Sequence, residues 1–196
     1  SVVLNQDVSQ TVGALSGTGG IALNEGATLM LEQTGNAAIG NVLTGTGTLA
    51  VDLGDAGNEL AFTNAQAPAF AGTVSLVNGF AELAAGSATQ KVLSSTNLVL
   101  GSAAGLTVNG TPQAPNTLGS LVLGTDSHVD FSAIDVETAS VGALLSVAGD
   151  VRVAGNASIS VGGIDLSGTP DILAANSTGV TQVLIEGASV VVDSGA

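Results

Sequence analysis

The chain has no cysteine, tryptophan or tyrosine, and its 196 residues include only four phenylalanines, two basic residues and one histidine. Against the two basic residues stand 16 acidic ones, which gives a formal net charge of −14 at pH 7. Nucleic acids and anionic membrane surfaces are therefore excluded as partners, because both are bound mainly through lysine and arginine. The absence of cysteine fits the reducing cytosol, and it also suits a protein that crosses a periplasm without being trapped by disulfides.

Long hydrophobic helices are also missing, although 45% of the residues are hydrophobic. Residues 92–125 carry no charge and are longer than a membrane span, but Gly101, Gly110 and Pro112 interrupt them. A transmembrane helix is not predicted there, whereas the content of Val, Leu and Ile argues against disorder. Because no signal peptide opens the chain and Ser1 is not an initiator methionine, we expect a segment of a longer exported protein.

What recurs along the chain is a short alternation, apolar–x–apolar, bounded by Gly, Asn, Asp or Ser, which is typical of short β-strands. Windows with helical periodicity are scarce, so no helix is predicted. Many alternations come in pairs, and the first apolar residues of successive pairs lie 28, 25, 24, 23 and 24 residues apart. These positions are Ile21, Leu49, Val74, Leu98, Leu121 and Leu145, and the second members of the first five pairs begin at Leu29, Leu60, Ala81, Leu106 and Val129.

A literal repeat accompanies this period, since LSGTGGIAL at residues 15–23 is similar to LTGTGTLAV at residues 43–51. A period of about 24 residues built from very short strands predicts an all-β fold, a parallel β-solenoid of roughly eight rungs. Equivalent side chains would stack about 4.8 Å apart, with aliphatic residues filling a narrow interior and ladders of Ser, Thr, Asn and Asp facing water. A pair of antiparallel immunoglobulin-like sandwiches is the alternative, but sandwich strands alternate over more residues and pack large aromatics between their sheets.

Several phrases of the sequence resemble the passenger domains of classical type V autotransporters of Gram-negative bacteria. They are GTGTLAV at residues 45–51, FAGTVSLVNGFAEL at 70–83, LGSLVLG at 118–124 followed by HVDF at 128–131, and LLSVAGDV at 144–151. The resemblance implies a right-handed parallel β-helix that spans residues 1–196 as a single passenger segment, with residues 118–196 similar to the C-terminal region of a passenger. It also implies export through the outer membrane, with display on the bacterial surface or secretion.

For such a passenger we expect a non-catalytic adhesin or a cell–cell self-association module that supports aggregation and biofilm formation. Its partners would be identical passengers on neighbouring cells, or a host surface or matrix glycoprotein, bound by many weak contacts that multivalent display converts into avidity. A structural stalk is the alternative, because rungs near the C-terminal end of a passenger help the remainder to fold during secretion. No cofactor is expected.

Catalytic candidates centre on His128, the only histidine in the sequence. Ser127, Asp126 and Asp130 lie close to it in the sequence. Adjacent residues of a strand point to opposite faces, so Ser127 and His128 cannot share a proton as a nucleophile and its base must. No catalytic residue is therefore predicted.

An enzyme that acts on acidic polysaccharides is the second alternative, because other β-solenoids have this activity. Such a site needs cations to bind uronates, and Lys91 and Arg152, the only basic residues, lie more than two repeats apart. Two of the 16 carboxylates could serve glycoside hydrolysis at a suitable separation. Without Trp or Tyr, however, the chain has no platform on which a sugar could stack.

The candidate binding residues are acidic and fall in two stretches. The first is a turn that could hold calcium, but neither the EF-hand spacing nor the calcium-binding nonapeptide is present, so no metal site is predicted. The second is either a solvated face that keeps the protein soluble or a contact surface for a ligand. The first stretch comprises Asp52, Asp55, Asn58 and Glu59, and the second comprises Asp126 and Asp130 together with Asp135 and Glu137.

Overall fold

The computed structural model describes residues 1–111, 114–131, 143–161, 164–165 and 183–192. These residues form twenty strands and one helix of six residues. The prediction of an all-β fold with parallel sheets is therefore confirmed. The elements are β1 (Val2–Leu4), β2 (Ser9–Val12), β3 (Gly20–Leu23), β4 (Thr28–Glu32), β5 (Ala37–Ile39), β6 (Val42–Gly45), β7 (Thr48–Asp52), β8 (Glu59–Phe62), β9 (Thr73–Ala84), α1 (Ala88–Leu93), β10 (Asn97–Leu100), β11 (Ala104–Asn109), β12 (Asn116–Leu118), β13 (Ser120–Leu123), β14 (His128–Phe131), β15 (Ala143–Val147), β16 (Asp150–Val153), β17 (Ser158–Val161), β18 (Ile164–Asp165), β19 (Val183–Glu186) and β20 (Ser189–Val192).

The strands form four runs of hydrogen-bonded neighbours, and we group these runs by their place in the repeat as sheets 1, 2 and 3. Sheet 1 contains β2, β4, β7, the first half of β9, β10, β13, β16 and β20, all parallel. Sheet 2 contains β5, β8, the second half of β9, β11, β14 and β17, with β18 added antiparallel at its end. Sheet 3 has two parts, β1–β3–β6 and β12–β15–β19.

From β3 onward the chain visits the sheets in a repeating order, from sheet 3 to sheet 1 and then to sheet 2. In the middle of the chain a loop at residues 63–72 and then the helix α1 lie where the other repeats have a strand of sheet 3. The single strand β9 serves both sheet 1 and sheet 2, and Gly79 lies between its two halves with φ +107°. A side chain at this position would be strained, and its Cβ would lie 2.8 Å from the carbonyl oxygen of Asn58.

The strand register confirms the central part of the predicted repeat. Leu49, Val74, Leu98 and Leu121 pair in succession along sheet 1. The second members of these pairs, which begin at Leu60, Ala81, Leu106 and Val129, pair in the same way along sheet 2. All eight residues are 0% exposed, so the alternation correctly identified the side chains that point into the core.

The repeat predicted from the sequence is wrong at both of its ends, at Ile21 and at Leu145. Ile21 pairs with Leu43 in sheet 3, and Leu29 is the residue that stacks on Leu49. The 28-residue offset joined two similar phrases whose last residues belong to strands of different sheets, β3 and β7. At the other end, Leu145 pairs with Asn116 in sheet 3, and Leu121 stacks on a residue 30 positions later, Val151. The pattern apolar–x–apolar occurs in all three sheets, so it does not reveal which sheet a strand joins.

The corner before sheet 1 explains the glycines that recur in the sequence. The amide of Thr73 donates to the carbonyl of Gly47 at 3.0 Å, and the amide of Gly149 donates to that of Gly119 at 2.7 Å. A Cβ on Gly72 would lie 2.3 Å from the Gly47 oxygen, which no real side chain tolerates. At Gly72 the preceding turn therefore approaches so closely that glycine is required, whereas Ala27 and Thr96 occupy the same corner in other turns.

The helix α1 contradicts the prediction of a chain without helices. Ser87 caps its first turn, since the hydroxyl oxygen accepts from the amide of Gln90 at 3.0 Å. The helix also joins neighbouring repeats, because the hydroxyl oxygen of Thr89 accepts from the amide of Phe62 at 3.0 Å and Lys91 Nζ donates to the carbonyl of Ala65 at 2.7 Å. Serine followed three residues later by glutamine is a known helix-start pattern, and it was the signal that the sequence offered.

We expect the substitution Leu98→Ala to lower the free energy of unfolding by about 2–5 kcal/mol, because it empties a fully buried position between Val74 and Leu121. The matched control is Val99→Ala on the outer face of the same strand, where a loss under about 1 kcal/mol is expected. Guanidinium denaturation followed by far-ultraviolet circular dichroism measures both changes. Equal losses for the two variants would contradict the inward stacking of Leu98.

Candidate binding surface

The first acidic stretch forms the turn between β7 and β8, where its carboxylates stabilise the turn itself. One carboxylate oxygen of Asp52 accepts from the amide of Gly54 at 2.9 Å, and one of Asp55 accepts from the amide of Gly57 at 2.8 Å. Side-chain acceptors two residues before an amide are the basis of Asx turns. The sequence predicted a binding role for these residues, whereas the hydrogen bonds give two of them a local structural role.

Asn58 and Glu59 attach this turn to its surroundings. The side-chain amide of Asn58 donates to the carbonyl of Leu53 at 2.8 Å, which closes the turn. The backbone amide of Glu59 donates to the side-chain oxygen of Asn36 at 2.9 Å, and Asn36 belongs to the preceding repeat. Both residues are half-buried, so the turn is fixed at both ends.

The second acidic stretch lies on the same side of the molecule but in a different repeat. Asp126 is exposed in the turn between β13 and β14 with φ +62°, and Asp130 on β14 accepts a hydrogen bond from the Ser160 hydroxyl on β17. Asp135 and Glu137 lie outside the described residues. Since β7 and β13 are three strands apart in sheet 1, about 14 Å separates the two acidic turns, and they do not form one site.

Ser127 and His128 point to opposite faces, as the strand geometry predicted. Ser127 is 0% exposed and its hydroxyl donates to the carbonyl of Gly124 at 2.7 Å. His128 is exposed, and its ring covers Gly105 on the neighbouring strand, where a Cβ would lie 2.3 Å from Nε2. The imidazole therefore occupies space that glycine leaves free on the outer face of sheet 2.

A continuous column of polar side chains runs along the outer face of sheet 1, and we call it the polar column. Neighbouring members bond to each other across strands, since the Ser120 hydroxyl donates to Asn97 Oδ1 at 3.0 Å and the Ser189 hydroxyl donates to Asp150 Oδ1 at 2.7 Å. The sequence predicted such ladders without naming their members, because these residues become visible only when the register is known. The polar column comprises Ser9, Thr28, Thr48, Thr73, Asn97, Ser120, Asp150 and Ser189.

A second column lies beside it, two residues further along each strand, and we call it the central column. Its side chains in the middle of the sheet, Val99 and Val122, are half-buried, and Arg152 on β16 is exposed. The two columns together form the outer face of sheet 1, on which the first half of β9, β10 and β13 carry no charged side chain. The central column comprises Thr11, Met30, Ala50, Ser75, Val99, Val122, Arg152 and Val191.

We expect Asp55→Ala to lower the free energy of unfolding by about 1 kcal/mol, because the amide of Gly57 loses its acceptor. Asp55→Asn is the matched control, since it keeps an acceptor oxygen at the same place and removes only the charge. Chemical denaturation of the two variants separates the effects. If asparagine destabilised the protein as much as alanine, the charge rather than the hydrogen bond would be the function of Asp55.

Within the described ranges, no group of three or more His, Cys, Asp or Glu side chains lies close enough together to hold a metal ion. In the same part of the chain, no helix has the length and hydrophobicity needed to cross a membrane. Comparisons with protein-family models, with curated proteins and with solved structures each found no match to this chain.

Proposed function

We propose that this chain is a surface-displayed passenger segment of the autotransporter type, which mediates adhesion or self-association between bacterial cells without catalysis. The observation that carries this proposal is the outer face of sheet 1, where eight parallel strands present a continuous polar column. A surface of this kind repeats the same chemistry every 4.8 Å or so, and it therefore suits many weak contacts better than one tight pocket.

The proposed architecture is a right-handed parallel β-helix of about eight rungs, one for each strand of sheet 1. It is supported by the repeated order of sheets 3, 1 and 2 along the chain and by the single apolar cluster that collects their inward side chains. The right hand follows from the resemblance to passengers and from the strong preference of parallel crossover connections. A rod of this kind would hold the outer face of sheet 1 away from the membrane that displays it.

A structural stalk is the second candidate. It is favoured by the unbroken stack of inward residues along sheet 1 from Leu29 to Val151, which would let folding spread from one turn to the next. A stalk needs this stack but has no requirement for a particular outer face. The two candidates therefore differ in what happens when only the outer face is changed.

The experiment that separates them is surface display. We expect cells that carry the segment on an outer-membrane anchor to aggregate and settle, because multivalent display strengthens weak contacts. Lysine substitutions of Thr48, Thr73 and Ser120 in the polar column should abolish settling, and cells should stay dispersed. The matched control places three lysines on the outer face of sheet 2, at Ala61, Thr107 and Ser160, and should settle as the wild type does.

Two outcomes would contradict the proposal. Wild-type cells that stay dispersed, and that do not adhere to a surface coated with host matrix glycoproteins, would indicate a stalk. Turnover of an acidic polysaccharide by the purified segment, abolished by removal of a pair of carboxylates, would indicate an enzyme. Equal amounts of displayed protein in all variants must be verified by antibody labelling of intact cells.

A further inference from the structure

Two asparagines in the chain are followed directly by glycine, Asn78 before Gly79 and Asn109 before Gly110. An asparagine in this position can lose its side-chain amide, because the backbone nitrogen of the next residue attacks the side-chain carbonyl carbon. Glycine has no side chain that would obstruct this attack. The sequence therefore makes the two sites equivalent, and a difference in their reactivity must come from the fold.

Asn109, at the end of β11, is held by a charged partner on the neighbouring strand. Its side-chain nitrogen donates to a carboxylate oxygen of Glu82 on β9. A hydrogen bond to a charged group is stronger than one between neutral groups. The attack requires the side-chain amide to turn toward the following backbone nitrogen and then to release its own nitrogen as ammonia. The bond to Glu82 opposes both steps.

Asn78 lies in the middle of β9, and its side-chain amide has no comparable restraint. The side-chain oxygen is buried, and within the described part of the chain it accepts no hydrogen bond. The register of β9 against β7 also shifts by one residue at Val77, immediately before Asn78, so the regular ladder is interrupted there. The backbone carbonyl of Asn78 accepts from the amide of Leu53 at 3.3 Å, which is long for a bond between backbone groups.

Close packing of the backbone is common to both sites and does not distinguish them. A Cβ would lie 2.3 Å from a carbonyl oxygen of the neighbouring repeat at Gly110, and 2.8 Å from one at Gly79. The extended, hydrogen-bonded backbone must distort before either ring can close, so the fold slows the reaction at both asparagines. The bond between Asn109 and Glu82 is the restraint that the two sites do not share.

We propose that Asn78 is a site of spontaneous deamidation in the folded protein and that Asn109 is protected, an inference that does not depend on the proposed function. The backbone nitrogen of Gly79 gives up its proton and bonds to Cγ of Asn78, while the bond from Cγ to Nδ2 breaks and ammonia leaves with that proton. A cyclic succinimide results. Water reaches the site, since Asn78 is half-buried and Val77 beside it is 39% exposed. One water molecule opens the ring at either carbonyl and leaves aspartate or isoaspartate at position 78.

The product adds a negative charge next to two others. Glu32 pairs with Asp52, and Asp52 pairs with Asn78, so the neutral amide follows two carboxylates in successive repeats. Deamidation would place a third carboxylate about 4.8 Å further along, where like charges repel. Isoaspartate would also insert a methylene group into the backbone of β9. We therefore expect Asn78→Asp to unfold at a lower guanidinium concentration than Asn78→Ser, which adds no charge, and equal midpoints would contradict this effect.

The test follows both asparagines in one sample. The purified chain is incubated in mildly alkaline buffer, and aspartate and isoaspartate at each position are quantified by peptide mass spectrometry. In the folded protein we expect Asn78 to convert about tenfold faster than Asn109, the ratio that corresponds to one hydrogen bond to a charged group. The same chain in guanidinium is the control, and there the two sites should convert at similar rates because only the local sequence remains.

A variant tests the physical cause. Glu82→Ala should raise the conversion of Asn109 about tenfold and leave that of Asn78 unchanged, because only Asn109 loses a partner. Asp130→Ala is the matched control, since it removes a carboxylate of the same face that bonds Ser160 instead of an asparagine. Circular dichroism verifies that each variant is folded.

Three results would overturn the inference. The first is conversion of Asn109 in the folded protein at least as fast as that of Asn78. The second is no conversion of Asn78 during a time in which the denatured chain reacts completely. The third is an unchanged rate at Asn109 in folded Glu82→Ala, which would show that the carboxylate does not protect it.

Discussion

In-register parallel pairing is the constraint on which the rest of this structure depends. Once the backbone of one repeat bonds to the next, equivalent side chains lie about 4.8 Å apart whether or not they attract each other. A side chain at any position must therefore be compatible with the side chains that stack on it from the neighbouring repeats. Inward columns such as Leu49, Val74, Leu98 and Leu121 contain only aliphatic side chains of similar volume, and the corner column needs glycine wherever a carbonyl of the preceding turn comes too close.

The same constraint governs the charges. Two like charges at that spacing repel by about 1 kcal/mol in water, and by more where the strands exclude solvent. The acids inside the outer columns are accordingly separated by hydroxyl groups. Asp150 lies between Ser120 and Ser189, and Asp130 lies between Thr107 and Ser160. The stacked pair of Glu32 and Asp52 is an exception at the end of its strands, where the carboxylate of Asp52 also accepts a hydrogen bond from the amide of Gly54.

The sequence predicted the inward residues of the central repeats because apolar–x–apolar is the direct mark of a strand with one buried face. It could not predict which sheet Ile21 or Leu145 joins, since the register depends on the number of residues in each corner. That number varies, because β9 passes from sheet 1 to sheet 2 as one strand, whereas a turn separates β7 from β8. The acidic candidates show the same limit. Composition identified Asp52 and Asp55, but their hydrogen bonds to Gly54 and Gly57 depend on turn geometry that no pattern of residue types encodes.

The stability of the stack and the chemistry of its outer face therefore depend on different residues of the same strands. The inward positions and corner glycines hold the stack together, and they leave the alternate positions free to change so long as no like charges accumulate. An outer face can then acquire or lose an interface through one or two substitutions, because changes at outward positions cost little free energy of unfolding. A stalk and a self-associating module can share one fold for this reason, and the difference between them lies in a few outward side chains of sheet 1.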